Sequence, residues 1–325
     1  MSILLAVILV LLGFVLLIWS ADVLVDNASE LASELGVSTF LIGVVIVGFG
    51  TSAPELFVSA MAAIENKGNL ALGNALGSNI TNIGLVLGAA ALVKVMPVER
   101  SIATRDIPAV LAAGIISVAL IIDGTLGRLD GIILLALLIA YLVYSGKKSV
   151  TTETVQSDSS GIDLDSAGQN QTDRQSLGKS FAWTIASIIV LMLASRILVL
   201  GAVTIAEFFE VSELIIGLTI VAIGTSLPEL AAAISAARKN EHEMIIGNII
   251  GSNAFNTLGV LGLTGALRAT ELDTGVLTRD FPIMFLFTVS MLLMALIKKR
   301  FGRVEGGILV AGYFSYLGFL LVSAS

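Results

Sequence analysis

Long apolar runs alternate along the chain with short polar breaks. Runs of spanning length cover roughly residues 2–21, 37–64, 70–93, 107–122, 129–145, 180–206, 211–237, 244–267, 281–297 and 305–322. A helix needs about 20 apolar residues to cross the hydrocarbon core, so the pattern predicts ten transmembrane helices, five on each side of a polar insert. The two shortest runs, 107–122 and 129–145, reach that length by extending a few residues into their flanks. Residues 1–18 have the hydrophobicity of a signal peptide but lack a basic leading region. Ser20-Ala21-Asp22 is also a poor cleavage context, so this stretch reads as a retained first span. The insert 146–178 is rich in Ser, Thr, Gln and Asp and nearly free of large apolar side chains. It cannot bury a core and reads as a disordered cytoplasmic linker rather than a small regulatory module.

The two halves repeat one another. VSTFLIGVVIVGFGTSAPEL (37–56) and VSELIIGLTIVAIGTSLPEL (211–230) match without gaps at twelve of twenty positions. GNALGSNITN (73–82) is answered by GNIIGSNAFN (247–256) at the same displacement of 174 residues. Arg105, Asp106 and Pro108 match Arg279, Asp280 and Pro282, and Gly127-Arg128 matches Gly302-Arg303 after a one-residue slip. Merging spans to give eight or nine would break this correspondence. The expected organisation is a first five-helix repeat at 1–145, the linker at 146–178 and a second repeat at 179–325. Five is odd, so the second unit enters the membrane from the opposite side. The expected fold is an all-α polytopic membrane protein of ten helices, built as two inverted five-helix repeats with a site at their interface.

Composition agrees and narrows the chemistry. Charged residues make up only 13% of the chain, against roughly 25% in a soluble domain. There is no cysteine, which excludes disulfides, thiolate nucleophiles and sulfur-ligated metals. The single histidine, His242, lies in the polar cluster RKNEHE and excludes a histidine-rich site. A net charge of −7 argues against nucleic-acid binding. With the N-terminus outside, the cytoplasmic loops carry thirteen Lys and Arg residues and the opposite loops only four, Lys67, Arg128, Arg268 and Arg279. This positive-inside bias sets both termini outside the cytoplasm of a cell (inner or plasma) membrane.

Glu55 and Glu229 lie within the apolar stretches of GTSAPE and GTSLPE. A carboxylate in hydrocarbon is costly unless paired, neutralised or facing water, and such residues mark ion or proton paths. No Lys or Arg shares their spans, and Arg196 is the one basic candidate partner. Pro54 and Pro228 cannot donate backbone hydrogen bonds, so spans 2 and 7 are expected to be broken helices. The breaks free carbonyls near Gly48, Phe49 and Gly50 and near Ala222, Ile223 and Gly224, which can ligate a cation where they line a cavity. Thr51, Ser52, Thr225 and Ser226 add hydroxyls. Asn74, Ser78 and Asn82 lie along one helical face, and Asn248, Ser252 and Asn256 repeat it. Asn79 and Asn253 sit on a neighbouring face and are read as braces for the broken spans. The paired glycines Gly73/Gly77 and Gly247/Gly251 are expected to bring helices close together. All these ligands are hard oxygens, which suit Ca²⁺ and disfavour Zn²⁺ and copper. Two carboxylates balance one Ca²⁺ or two Na⁺.

With GTSxPE and GSNxxN each present twice, the chain resembles the sodium/calcium exchanger superfamily, specifically its prokaryotic ten-span members, over essentially its whole length. The resemblance implies antiport by alternating access: inward Na⁺ flow drives Ca²⁺ outward while spans one and six slide past a fixed core. It implies ion ligands at Thr51, Ser52, Glu55, Ser78 and Asn82, and at Thr225, Ser226, Glu229, Ser252 and Asn256, with backbone oxygens at Gly48 and Ala222. Archetypal members place an aspartate where this chain has Asn256, so the fixed charge here is lower by one. The implied partners are Ca²⁺, Na⁺ and membrane lipid, with no prosthetic group and no obligatory protein partner, so that a monomer suffices. A Ca²⁺/H⁺ or other cation/proton antiporter is the nearest alternative, since two glutamates can carry protons as well as cations. A cation channel is a remoter one. No nucleophile–base constellation or cofactor fingerprint suggests an enzyme.

Overall fold

The computed structural model describes residues 2–157, 177–211, 216, 220 and 222–324. Its helices are α1 (Ile3–Leu35), α2 (Thr39–Ile64), α3 (Gly68–Val93), α4 (Ile102–Ile121), α5 (Arg128–Ser157), α6 (Leu177–Phe208), α7, α8 (His242–Leu267), α9 (Val276–Lys298) and α10 (Arg303–Ala324). The described parts of α7 are Ala222–Thr225 and Leu227–Arg238. Most of the segment read as a linker, 158–176, lies outside the described residues, and α5 continues helical as far as Ser157.

Local chemistry sets the ends of these helices. Ser2 caps α1, its hydroxyl accepting from the Leu5 amide at 3.4 Å. Gly36 ends the helix in the left-handed region at φ 62°, a conformation glycine adopts without steric cost. The apolar pattern placed the end of this span near residue 21, but α1 continues fourteen residues further. Between Trp19 and Gly36 no Gly or Pro interrupts it, and its polar residues find partners on α7. The Ser235 hydroxyl donates to Asp22 at 2.5 Å, and Lys239 pairs with Asp26 at 2.7 Å.

The ten helices form two inverted repeats, and two short ribbons show the inversion directly. β1 (Met96–Pro97), which follows α3, pairs antiparallel with β4 (Arg300–Phe301), between α9 and α10. β2 (Thr125–Leu126), between α4 and α5, pairs with β3 (Thr270–Glu271), between α8 and α9. Each ribbon joins a turn of one repeat to a turn of the other. The repeat relates β1 to β3 and β2 to β4, so one ribbon closes each end of the bundle. α8 and α3 occupy the centre, α8 buried throughout its apolar window and α3 over most of it. α1 and α6 pack along one another at the periphery, with Gly13 beneath Leu198 and Ala194, and Gly201 beneath Ala6 and Val10.

The paired glycines of α3 and α8 behave differently. A Cβ at Gly247 or Gly251 would overlap the carbonyl oxygen of Phe40 or Val44 on α2, so these two helices touch backbone to backbone. At Gly73 and Gly77, among the described residues, nothing lies within 4 Å of a Cβ. Both instead border a cavity of about 140 Å³. Close approach was expected at both pairs and occurs only at Gly247/Gly251. Overpacking typically costs about 1–3 kcal/mol. G251A is therefore expected to lower the melting temperature of the detergent-solubilised protein, and G77A to leave it near wild type, as measured by temperature-dependent size-exclusion profiles.

Candidate cation site

Each repeat brings an irregular helix to the centre, and the two irregularities differ. α7 is interrupted outright: Ser226 forms a turn at φ −94°, ψ 7°, and the helix restarts at Leu227. Pro228 falls in the first turn of the new segment, where its missing N–H would have no helical partner. In α2 the departure lies earlier, as a π-helical turn at Gly43–Val47, and Pro54 sits inside the following α-helical segment. There it withholds the donor that the Gly50 carbonyl would otherwise meet. Of the carbonyls near these breaks, Gly48 accepts from the Ser252 hydroxyl at 3.4 Å, Ile223 from the Ser226 amide at 3.1 Å, and Gly224 from the Ser195 hydroxyl at 2.8 Å. Ala222 opens the short helical segment just before the turn.

Around these breaks the side chains converge from both halves. Glu55 and Glu229 are each 1% exposed. The Ser52 hydroxyl of α2 donates to Glu229 on α7 at 3.4 Å, directly linking the two motifs. Thr51 donates to the Asn248 side-chain oxygen at 3.2 Å and lies 3.5 Å from the Ser252 hydroxyl, so α2 meets the polar face of α8. The mirrored contact is more open. Asn74 turns its amide to Ser59 at 3.2 Å, and Thr225, Asn74 and Ser78 border the cavity beside Gly73 and Gly77. Asn82 and Asn256 both lie in π-helical turns, Asn82–Leu87 of α3 and Phe255–Val260 of α8. Such turns insert a residue into the helix, re-aim side chains and recur at functional sites.

The central polar atoms are conspicuously short of partners. Among the described residues, fifteen buried side-chain N and O atoms lack a hydrogen bond, and nine of them belong to the two repeated motifs. They include both oxygens of Glu55, one of Glu229, the oxygens of Asn79 and Asn82, the Ser226 hydroxyl and both polar atoms of Asn256. An orphaned buried polar atom costs about 1–3 kcal/mol. A cluster dominated by orphaned oxygens is stabilised by a dehydrated cation. The side chains suit Ca²⁺, which accepts 6–8 oxygens in flexible geometry. Among the described residues no three His, Asp or Glu side chains gather in one place, so the fixed charge is that of the two glutamates.

Two expectations change. Arg196 is exposed on α6 and is no counter-ion for the glutamates. Asn79 and Asn253 do not brace the broken spans but tie α3 to α8. Asn82 donates to Asn253 at 3.1 Å, and Asn79 donates to Thr257 at 2.7 Å. Both asparagines lie in regular α-helix just before the π-helical turns, on the faces that α3 and α8 turn to each other. Ser195 was missed altogether. It stands outside both motifs, and its only sequence signal is that position 21, its counterpart, is alanine.

Comparison with known proteins agrees with this architecture. The family model described as sodium/calcium exchanger protein matches residues 5–147 and again 179–322. The chain is 40% identical over 319 residues to the putative antiporter CaxA of Alkalimonas amylolytica, covering 96% of this chain and 98% of that one. It is 38% identical to the inner membrane protein YrbG of Escherichia coli (strain K12), covering 98% and 97%. It is 29% identical to the sodium/calcium exchanger MaX1 of Methanosarcina acetivorans, covering 95% and 96%. Among solved structures, the sodium-calcium exchanger NCX_Mj soaked with Na⁺ and Sr²⁺ superimposes with a TM-score of 0.82 at 30% identity, covering 98% of this chain and 99% of that one. The chain belongs to the sodium/calcium exchanger protein family.

Proposed function

We infer that the protein is a secondary active antiporter that exchanges Ca²⁺ for Na⁺ across a cell (inner or plasma) membrane by alternating access. The observation that carries this reading is the pair of buried glutamates, three of whose four oxygens lack a partner, on two inverted and irregular helices. A channel needs a continuous path. Here α2 and α8 are sealed backbone to backbone at Gly247 and Gly251, while the mirrored face opens at Gly73 and Gly77. One closed and one open face, built from equivalent parts, suit a site that is reached from one side at a time.

The transported ions are held by Glu55 and Glu229 with the oxygens of Thr51, Ser52, Ser78, Asn82, Thr225, Ser226, Ser252 and Asn256 and the backbone at Gly48 and Ala222. Two negative charges match one Ca²⁺ or two Na⁺, so occupancy by one ion species displaces the other. Both termini lie outside the cytoplasm, following the thirteen-to-four distribution of loop cations. The open face at Gly73 then points outward. Both halves of the site are on one chain, so the monomer is the working unit. The cation/proton mode remains the second reading, because unpartnered carboxylates accept protons as readily as metal ions.

In proteoliposomes loaded with Na⁺, Ca²⁺ uptake is expected to fall about tenfold or more in E55Q and in E229Q, since each loses a charged ligand with no substitute nearby. Normal Ca²⁺ affinity and flux in both variants would sink the assignment of these residues. Uptake driven equally well by a proton gradient without Na⁺ would favour the proton mode. N256D restores a third acidic group to the core and is expected to change the Na⁺ or pH dependence of Ca²⁺ flux. An unchanged coupling ratio and pH profile would remove Asn256 as a determinant of coupling.

A further inference from the structure

α7 turns at Ser226, just beyond the Gly224 carbonyl, and Pro228, four residues on, has no N–H to offer it. The carbonyl lies in the wall of the site and is buried, where an unmet carbonyl is expensive. Ser195 of α6 supplies the missing bond, its hydroxyl donating at 2.8 Å, and its side chain is itself buried. The repeat makes the same demand in the first half, where Pro54 deprives the Gly50 carbonyl. The helices correspond as the motifs do: each leads without a gap into the matched Val-Ser at 37–38 and 211–212, and α1 ends at Leu35 and α6 at Phe208, within one residue of the same displacement of 174. The counterpart of Ser195 is therefore Ala21, which has no donor to offer.

Packing shows the same one-sidedness. A Cβ at Gly50 would overlap Ile188, and one at Gly224 would overlap Val199, so α6 presses on the glycines of both GTSxPE motifs. The counterparts of Ile188 and Val199 on α1 are Phe14 and Val25. Neither is among the nearest neighbours of those glycines, and Phe14 is 54% exposed. In the inverted arrangement of the same chain, α1 would take over this role, with Ala21 facing the Gly50 carbonyl.

We propose that Ser195 is a positioning residue that holds the interrupted α7, and with it the arrangement closed at Gly247/Gly251, through its bond to the Gly224 carbonyl, and that Ala21 leaves the inverted arrangement without an equivalent hold. The site thus carries a built-in preference for one of its two accessible faces. This rests on the alternating-access reading above and adds to it the residue that sets the balance.

The chain contains no cysteine, so single reporters can be introduced without background. G73C reports the open face, where a side chain meets no neighbour, and V44C reports the closed one, where Val44 is fully buried beside Gly251. Each is labelled with a charged, water-soluble maleimide in detergent. S195A is expected to lower the ratio of G73C to V44C labelling about fivefold, the worth of one ordinary hydrogen bond. S195T, which keeps the hydroxyl, is expected to retain the wild-type ratio. A21S removes nothing and gives the inverted arrangement a donor, so it is expected to shift the ratio in the same direction as S195A. If S195A misfolds and labels fully at both reporters, the A21S ratio decides. An unchanged ratio in A21S, or an unchanged ratio in a folded S195A, overturns the proposal. Labelling reads shape and not flux. Failure of the antiport reading would instead appear as wild-type Ca²⁺ uptake indifferent to Na⁺ and H⁺ gradients.

Discussion

The structure depends on keeping two uncompensated carboxylates in a medium that cannot solvate them. Glu55 and Glu229 are buried, and Arg196, the one basic candidate the sequence offered, is exposed on α6. Burying an unpaired charge is among the most expensive things a protein can do. The surrounding features read as responses to that cost. The π-helical turn of α2 and the break in α7 place irregular backbone beside the glutamates, the amide stripes of α3 and α8 meet each other, and the ribbons hold two oppositely oriented units in register. A permanent counter-ion would have relieved the cost but also occupied the position that a transported cation must enter and leave.

Much of this was legible in the sequence, because the informative signals were doubled. A glutamate in one apolar run is ambiguous; the same hexapeptide pattern 174 residues later, with matched asparagine stripes, is far less so. The parity of five spans then implied inversion, which the β1–β4 and β2–β3 ribbons display. The regions that misled were those where three-dimensional context overrides local pattern. The polar end of α1 reads as loop by hydropathy, but it is helical because α7 supplies partners for Asp22 and Asp26. The π-helical turns that hold Asn82 and Asn256 leave no trace in a 3.6-residue periodicity.

The departures from symmetry are as informative as the symmetry itself. Equivalent positions with equal sequence, such as Gly77 and Gly251, have unlike surroundings, which is a property of the conformation. Equivalent positions with unequal sequence, such as Asn79–Thr257 against Asn253 and Ile83, are a property of the chain. The first kind reverses when the two faces exchange roles. The second does not, and so the two end states of a duplicated transporter need not have the same energy.

The ribbons also bear on how such a protein is made. Each joins a turn of the first repeat to one that is translated only after most of the second repeat. Until α8 and α9 have entered the bilayer, α3 has no partner for Asn79 and Asn82, and β1 and β2 have no strand beside them. The first half therefore emerges from the ribosome as an incomplete object, its most polar helix waiting in lipid for the last third of the chain. Biogenesis, and not only transport, is a dialogue between the halves, and a cell's membrane quality control would see every truncated copy as a helix with unmet amides.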